Sequence, residues 1–234
     1  MVIKAYKAII KNHKEKEVEN FCLVNETDIR KKDYETGKIM NVNAFVFQNE
    51  LYVYIESCYE EILPDALFSG MEVYLCPWPD GENKYFYPQT EIFHFNQPDS
   101  IEHWKRKQKP DCCAALIAKI IPEHTASYIF YHYQLQEEQP GNGDKYGRIF
   151  IMGDTTFFYR EFPEVKEKAC YKGKLSTKNS PASDKWQSLM EKYFIMWDDS
   201  YTNFDDNYDF KKYGYPLNQK DNQWLYIKNI MSIV

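Results

Sequence analysis

The sequence predicts an α+β protein built from two tandem ferredoxin-like repeats, each with the order strand, helix, strand, strand, helix, strand. Two observations support this class. Apolar runs of strand length alternate with stretches of helical spacing, in the same order in both halves of the chain. In addition, two short segments of the first half recur in the second half, which is typical of a duplicated domain. We expect the two sheets to form a dimeric α/β barrel within one chain.

The repeat is carried by two pairs of segments. AYKAIIKNHKEKEV at 5–18 matches LIAKIIPEHTASYI at 116–129, and FVFQNELYVYIE at 45–56 matches FIMGDTTFFYRE at 150–161. In the second pair a phenylalanine, a tyrosine and a glutamate coincide: Phe45, Tyr54 and Glu56 with Phe150, Tyr159 and Glu161. We therefore predict a first repeat at 1–96, a linker at 97–113 and a second repeat at 114–234.

The second repeat has the clearer element signals. Its apolar run at 114–121 predicts a strand that Pro122 ends, and Thr125 is positioned to cap a helix running to about Glu138. Residues 140–143 are predicted to end this helix, and strands 146–152 and 155–162 are predicted to form a hairpin that turns at Gly153 and Asp154. The remaining predicted segments are a helix at 184–197, a long loop at 198–222 and a final strand at 224–234. Connections as long as 198–222 are often binding loops or lids.

The first repeat shows the same order with weaker signals. We predict a strand at 3–10, a charged helical region at 14–32, a hairpin at 43–47 and 50–57, an irregular segment at 64–86 and a last strand at 90–95. The basic cluster His103–Lys109 falls in the predicted linker, where a solvated role is expected.

Composition excludes several classes of partner. The net charge of −6 argues against a nucleic-acid backbone as partner, because such proteins concentrate Lys and Arg. No apolar run approaches the roughly 20 residues of a membrane helix. The six cysteines show no metal-ligand spacing, and the charged N-terminus is unlike a signal peptide, so we expect a cytoplasmic protein with reduced thiols.

A group of polar side chains in the second repeat is the candidate site. Tyr128 and His132 are four residues apart on the predicted helix and therefore share a face. Strand alternation places Tyr146, Arg148 and Phe150 on one side of the next strand. These groups are expected to converge in a cleft between helix and sheet, where a histidine suits proton transfer near neutral pH.

The second half of the chain resembles the L-rhamnose mutarotase family. The resemblance covers roughly 114–234 and rests on EHTASYIFYH after the first strand, YGRIFIMGD, FFYRE and a tryptophan on the second helix. The positions that match the family's motif residues are Tyr128, His132, Glu138, Tyr146 and Trp186. The resemblance implies interconversion of the anomers of a monosaccharide by general acid/base catalysis, without a cofactor.

Under that interpretation His132 is the general acid/base, and Tyr128 and Tyr146 hold hydroxyls or share the proton. Arg148 and Glu138 bind the sugar, while Trp186 provides an apolar wall. The first repeat lacks the Tyr/His pair and is expected to be structural. Two other functions stay open: a non-catalytic protein that binds a sugar or other small molecule, and a cofactor-independent monooxygenase or heme-handling protein of the dimeric α/β barrel type. The sugar and the oligomeric state are left open.

Overall fold

The structure is a computed structural model that describes residues 1–79, 83–180, 183–201, 205–213 and 222–234. The chain divides into two compact units. Unit 1 comprises Met1–Gln89, Ser100–Lys109 and Lys228–Val234, and unit 2 comprises Thr90–Asp99 and Pro110–Ile227. Both units are mixed α+β with an antiparallel sheet, which agrees with the predicted class. No helix in this described part of the chain combines the length and apolar character needed to cross a bilayer.

Unit 1 contains an antiparallel sheet covered by a long helix. Its strands are β1 (Val2–Ile10), β2 (Ile39–Phe47), β3 (Glu50–Ser57), β4 (Leu75–Cys76) and β5 (Tyr87–Pro88). Its helices are α1 (Glu15–Ile29), which continues as a π-helical turn at Arg30–Tyr34, α2 (Pro64–Leu67), a 3-10 turn at Met71–Tyr74 and α3 (Ile101–Trp104). The strand order is β4-β1-β3-β2, followed by residues 228–233 of the last strand, and β5 also pairs with β1.

Unit 2 also contains an antiparallel sheet and helices. Its strands are β6 (Thr90–His94), β7 (Cys112–Ile120), β8 (Arg148–Met152), β9 (Thr155–Phe162) and β10 (Phe194–Ile195), and β11 (Leu225–Ile233) begins in it. Its helices are α4 (Thr125–Glu138), α5 (Ser183–Met190) and α6 (Phe210–Tyr213), with 3-10 turns at Pro122–His124 and Glu191–Tyr193. The strand order in unit 2 is residues 225–227 of β11, then β7, β9, β8 and β6. Strand β10 also pairs with β7.

The core of unit 2 lies between α4 and one face of its sheet. Period-two alternation directs Leu116 of β7, Ile149 of β8 and Phe158 of β9 to that face, where they join Tyr128 of α4. The turn between β8 and β9 is a two-residue connection, and Gly153 adopts a positive φ of 62° there, which glycine allows without strain. The predicted hairpin and the predicted helix from Thr125 to Glu138 are therefore confirmed.

Several boundaries differ from the predictions. His124 precedes α4 at the cap position without a side-chain cap bond, so Thr125 is the first helical residue and not the cap. The helix predicted to reach residue 197 ends at Met190, because the chain there turns into the short strand β10. The predicted loop 198–222 falls partly outside the described residues; within it, Tyr208 is buried and stacks on Tyr226 at 4.3 Å between ring centroids.

The last strand predicted for each repeat pairs with strands of the other half of the chain. Strand β6, which we predicted as the last strand of the first repeat, pairs with β8, with His94 opposite Arg148. Residues 228–233 of β11 pair with β2 of unit 1, with Lys228 opposite Val46. Each sheet is thus completed by a strand that is remote in sequence.

The predicted linker is partly a structural element of unit 1. Trp104 at the end of α3 is fully buried, and the Arg106 guanidinium forms an ion pair with the buried carboxylate of Glu56, donating to Oε1 at 2.8 Å. The expectation that the whole basic cluster is solvated was wrong at these two positions, because a buried carboxylate recruits one of its cations.

Candidate functional site

A cavity of about 400 Å³ lies within unit 2, between α4, α5 and the sheet face. Aromatic side chains form part of its wall: Phe93, Phe95, Tyr128, Phe158, Trp186, Phe194 and Trp224. The rings contact one another in edge-to-face geometry, for example Phe194 and Trp224 with centroids 5.7 Å apart. Such walls offer a large apolar surface to a flat molecule.

The Tyr128 and His132 pair lines this cavity, as the helical spacing predicted. The two rings lie 4.2 Å apart between centroids, and Trp186 contacts His132 at 5.0 Å. His132 Nδ1 lies 2.9 Å from the backbone carbonyl oxygen of Tyr128, which only accepts hydrogen bonds. The proton of the neutral ring is therefore on Nδ1, and Nε2 carries a lone pair that has no partner among the described residues.

Burial determines the protonation of this pair. It lowers the pKa of His132 from 6.5 to about 4, outweighing the bond to the Tyr128 carbonyl. It also raises the pKa of Tyr128 well above its usual range, and no described residue bonds to the Tyr128 hydroxyl. Both groups are neutral near pH 7, so the pair can accept or donate hydrogen bonds but is poorly suited to general acid/base catalysis there.

A second polar group, missed in the sequence analysis, lines the cavity beyond the aromatic walls. Asp144 Oδ1 accepts from the backbone N–H of Tyr146 at 3.3 Å and of Val165 at 3.4 Å. Its Oδ2 atom is buried and has no partner among the described residues. Burial raises the pKa of Asp144 from 3.8 to about 7; Arg160 opposes this shift, and the nearby carboxylates of Glu161 and Glu164 add to it.

Arg160 and Glu164 complete this polar end. The Arg160 guanidinium donates to the Glu164 carboxylate and lies over the rings of Phe158 and Phe162, 5.2 and 4.9 Å from their centroids. The Nε–H of Arg160 is buried without a partner among the described residues. Lys166 also lines the cavity and is exposed. Asp144 Oδ2 and Arg160 Nε are thus both enclosed by protein, and these two residues line the cavity through other atoms.

Two predicted site residues lie elsewhere. Ile149 is the β8 residue that lines the cavity, so alternation places Arg148 on the opposite face. There Arg148 donates to Glu91 Oε1 at 2.7 Å and to the Asn96 carbonyl at 3.0 Å. Tyr146 is buried in the loop before β8 and is absent from the cavity wall. The predicted convergence of these two residues with His132 does not occur.

Glu138 has a structural environment as well. Its carboxylate accepts from the Ser180 backbone N–H at 2.7 Å, from Thr177 Oγ1 at 2.5 Å and from the Asn179 backbone N–H at 3.2 Å. Burial opposes the effect of these bonds, yet together they lower the pKa of Glu138 to about 2. Glu138 therefore fastens the segment before α5 to the end of α4, and it does not face the cavity. Of the six predicted site residues, the structure brings together Tyr128, His132 and Trp186.

One sequence signal could have indicated Asp144. It directly follows the turn at Pro140–Gly143, and charged residues placed by such turns frequently enter sites. Gly143 itself is required there, because a Cβ atom at this position would approach Phe95 to 2.5 Å. Within the described residues no group of three or more His, Cys, Asp or Glu side chains could hold a metal ion.

The comparisons with known proteins are sparse. No protein-family model matches the sequence, and no curated protein matches it. Among solved structures, a protein from Fusobacterium nucleatum described as a "putative monooxygenase" is 7% identical, with 98% of this chain and 92% of that chain covered and a TM-score of 0.41. A "putative monooxygenase" from Lactobacillus acidophilus is 10% identical, with 99% and 95% covered and a TM-score of 0.37.

These findings correct the functional prediction. The prediction of a sugar mutarotase, with its isomerase class, was wrong: the solved structures that match are described as monooxygenases and not as sugar isomerases. The geometry of unit 2 gives a physical reason. His132 is neutral near pH 7, and Tyr146, Arg148 and Glu138, which the resemblance or the strand pattern assigned to the sugar, are bound to other groups or absent from the cavity wall.

Proposed function

We propose that unit 2 binds a flat, largely apolar small molecule that carries a polar group. The observation that carries this proposal is the cavity itself, whose wall combines aromatic rings such as Trp186 and Trp224 with polar residues such as His132 and Lys166. The volume of about 400 Å³ falls in the range of small-molecule sites.

Tryptophan fluorescence tests the proposal. Trp186 and Trp224 line the cavity, so a fused-ring aromatic ligand should quench the emission of the protein in a saturable way. Replacing Trp186 by Ala should weaken binding about tenfold, in line with the loss of an aromatic contact. Trp78→Ala is the matched control, because Trp78 stacks on Tyr87 in unit 1 and lies outside the cavity. Equal weakening by both variants, or no saturable quenching, would contradict the proposal.

A second candidate function is cofactor-independent oxygenation of the bound molecule. The specific observation is that Asp144 belongs to the cavity wall and has a pKa of about 7, which suits a general base near neutral pH; this candidate requires the enclosed Oδ2 atom to open to the cavity. Removal of a proton from an activated ring CH₂ gives an anion that can pass electrons to O₂. The balanced reaction inserts one oxygen atom: the CH₂ and O₂ become C=O and H₂O. Arg160 is placed to stabilise the anion electrostatically.

Oxygen uptake tests this second candidate. Wild-type protein mixed with an anthrone should consume O₂ faster than buffer does and yield the ring ketone in equal amount. Asp144→Asn should lose the acceleration, whereas Asp154→Asn, which changes an exposed carboxylate in the β8–β9 turn, should keep it. Binding of the anthrone without faster O₂ uptake would leave a binding protein and exclude this oxygenation.

We also propose that the two units are diverged copies of one ferredoxin-like repeat. The shared strand order supports this, as does a shared local bond: Tyr54 donates to Glu56 Oε1 at 2.8 Å in β3, and Tyr159 donates to Glu161 Oε1 at 2.8 Å in β9. Unit 1 has no counterpart of the Tyr128 and His132 pair at the matched positions. We therefore place the proposed ligand site in unit 2.

A further inference from the structure

Resting on the proposed function, we propose that the ligand of unit 2 carries a neutral N–H or O–H group on an aromatic ring system, and that this group donates a hydrogen bond to Nε2 of His132. The aromatic part of the ligand then contacts the rings that surround the histidine. Recognition by a single acceptor atom defines the class of ligand as neutral aromatic hydrogen-bond donors, of which hydroxyarenes and indoles are examples.

His132 offers an acceptor that is fixed by the helix. The backbone carbonyl of Tyr128 only accepts hydrogen bonds, so His132 Nδ1, 2.9 Å away, keeps the proton of the neutral ring. Nε2 becomes a donor only if the ring gives up this bond or takes up a second proton. Burial opposes the second proton, because it lowers the pKa of His132 to about 4. Near neutral pH, His132 therefore presents a lone pair at Nε2.

Nε2 of His132 differs from other unpartnered polar atoms of the cavity wall in its accessibility. The hydroxyl of Tyr128, Oδ2 of Asp144 and Nε of Arg160 are fully enclosed by protein. His132 also lines the cavity, but its Nε2 is not one of the enclosed atoms. A ligand in the cavity can thus approach Nε2, and no described residue occupies its lone pair.

The surroundings of His132 favour a neutral group on the ligand. The rings of Phe93, Tyr128 and Trp186 contact the imidazole, with centroids 5.2, 4.2 and 5.0 Å away. None of these three side chains is charged near pH 7. A ligand carboxylate at this point would be repelled by the lone pair, and an ammonium group would lose its hydration without gaining a counter-charge from the three rings. A neutral donor satisfies Nε2 without either cost.

Two matched pairs of compounds test the assignment: naphthol with methoxynaphthalene, and indole with N-methylindole. In each pair a methyl group removes the donor and leaves the ring system unchanged, and isothermal titration calorimetry measures both affinities. We expect the wild type to prefer the donor of each pair about tenfold, since the methylated compound fills the cavity and leaves Nε2 without a partner. Naphthoate and naphthylmethylammonium, which place a charge at the same ring position, should bind at least about tenfold more weakly than naphthol.

His132→Phe separates recognition of the donor from packing. This variant keeps an aromatic ring but has no acceptor, so the preference for naphthol over methoxynaphthalene should fall from about tenfold to about one. The ratio of the two affinities cancels any change in folding or cavity shape that affects both compounds alike. His124→Phe is the matched control and should keep the preference, because His124 lies just before α4, contacts Tyr193 and is absent from the cavity wall.

Nitrogen NMR reports on the acceptor atom itself. In the protein labelled with ¹⁵N at histidine, Nε2 of His132 should give the signal of an unprotonated ring nitrogen. That signal should move upfield when naphthol binds, because the lone pair then accepts a hydrogen bond, and should move far less with methoxynaphthalene. The Nδ1 signal should stay that of a protonated nitrogen throughout, since its bond to the Tyr128 carbonyl is kept.

Four results would overturn the assignment. Equal affinities within each pair in the wild type would show that no donor is recognised. A preference for naphthol that survives in His132→Phe would assign recognition to another group. Tighter binding of naphthoate or of the ammonium compound than of naphthol would show that the ligand class is charged. Absence of binding by every compound would overturn the proposed function as well, which distinguishes that failure from a wrong assignment.

Discussion

His132 donates from Nδ1 to the backbone carbonyl of Tyr128, 2.9 Å away and one helical turn earlier. This single bond fixes the tautomer and orients the ring, so that the unprotonated Nε2 is available to a ligand. The histidine that looked like an acid/base catalyst in the sequence is therefore a neutral hydrogen-bond acceptor in an aromatic wall.

We predict that His132 does not titrate between pH 5 and 8. Its pKa of about 4 lies below the ordinary value of 6.5, because the charged ring would lose its hydration. The folded state then binds fewer protons than the unfolded chain, so stability is lost as pH falls below about 6.5 toward 4. Imidazole resonances followed by NMR measure this directly, with the urea-unfolded chain as the control. A midpoint for His132 near 6.5 would contradict the buried geometry.

Asp144 should make the protein less stable as pH rises. Its pKa of about 7 exceeds the ordinary 3.8, so the folded state binds more protons than the unfolded chain between these values. The stability contribution of the protonated form is complete below pH 4 and is lost as pH rises through 7, by roughly 4 kcal/mol. Thermal unfolding should show that Asp144→Asn gains stability over wild type at pH 8 but not at pH 4. Parallel curves for both proteins would refute this.

Glu138 should hold the segment from 163 to 180 against the end of α4. In Glu138→Gln, an amide nitrogen replaces one carboxylate oxygen, so either the bonds from Ser180 to Oε2 or those from Thr177 and Asn179 to Oε1 are lost. We expect trypsin to cleave at Lys174 or Lys178 several-fold faster than in wild type. Glu123→Gln, at an exposed position before α4, is the control. Because the pKa of Glu138 is lowered to about 2, the segment should also resist pepsin, which is active in acid, at pH 4.5 and lose that protection only toward pH 2.

The ion pair between Glu56 and Arg106 should be critical to unit 1. Burial alone would raise the pKa of Glu56, but Arg106 and the Tyr54 hydroxyl outweigh it and keep that pKa below its usual value. Arg106→Met leaves a buried carboxylate uncompensated and should cost about 3–5 kcal/mol in urea unfolding. The double variant with Glu56→Gln should recover part of that loss. A single variant as stable as wild type would show that the pair contributes nothing.

Much of the local structure was predictable because it depends on nearby residues. The helix α4 and the β8–β9 hairpin follow from Pro122, the stop at 140–143 and the Gly153 turn, and the structure confirms both. The pairing of β6 with β8, and of the end of β11 with β2, was not predicted. Sequence periodicity identifies a strand but carries no information on which distant strand becomes its neighbour.

The candidate site, too, was predictable from the sequence only in part. Tyr128 and His132 share a face because helix geometry requires it, and Trp186 joins them. Arg148 was placed on the wrong side, because alternation gives the faces of a strand only relative to one another. Asp144 and Arg160 come from a loop and from another strand, so only the tertiary structure brings them into one cavity.

The central claim is that the cavity of unit 2 is a ligand site, and methyl NMR with naphthol tests it most directly. Leu135, Ile149 and Met190 line the cavity, whereas Val18 and Met71 belong to the core of unit 1. We predict saturable shifts of the first three methyl signals and none of the other two. Shifts confined to Val18 and Met71, or no saturable shift at all, would contradict the account.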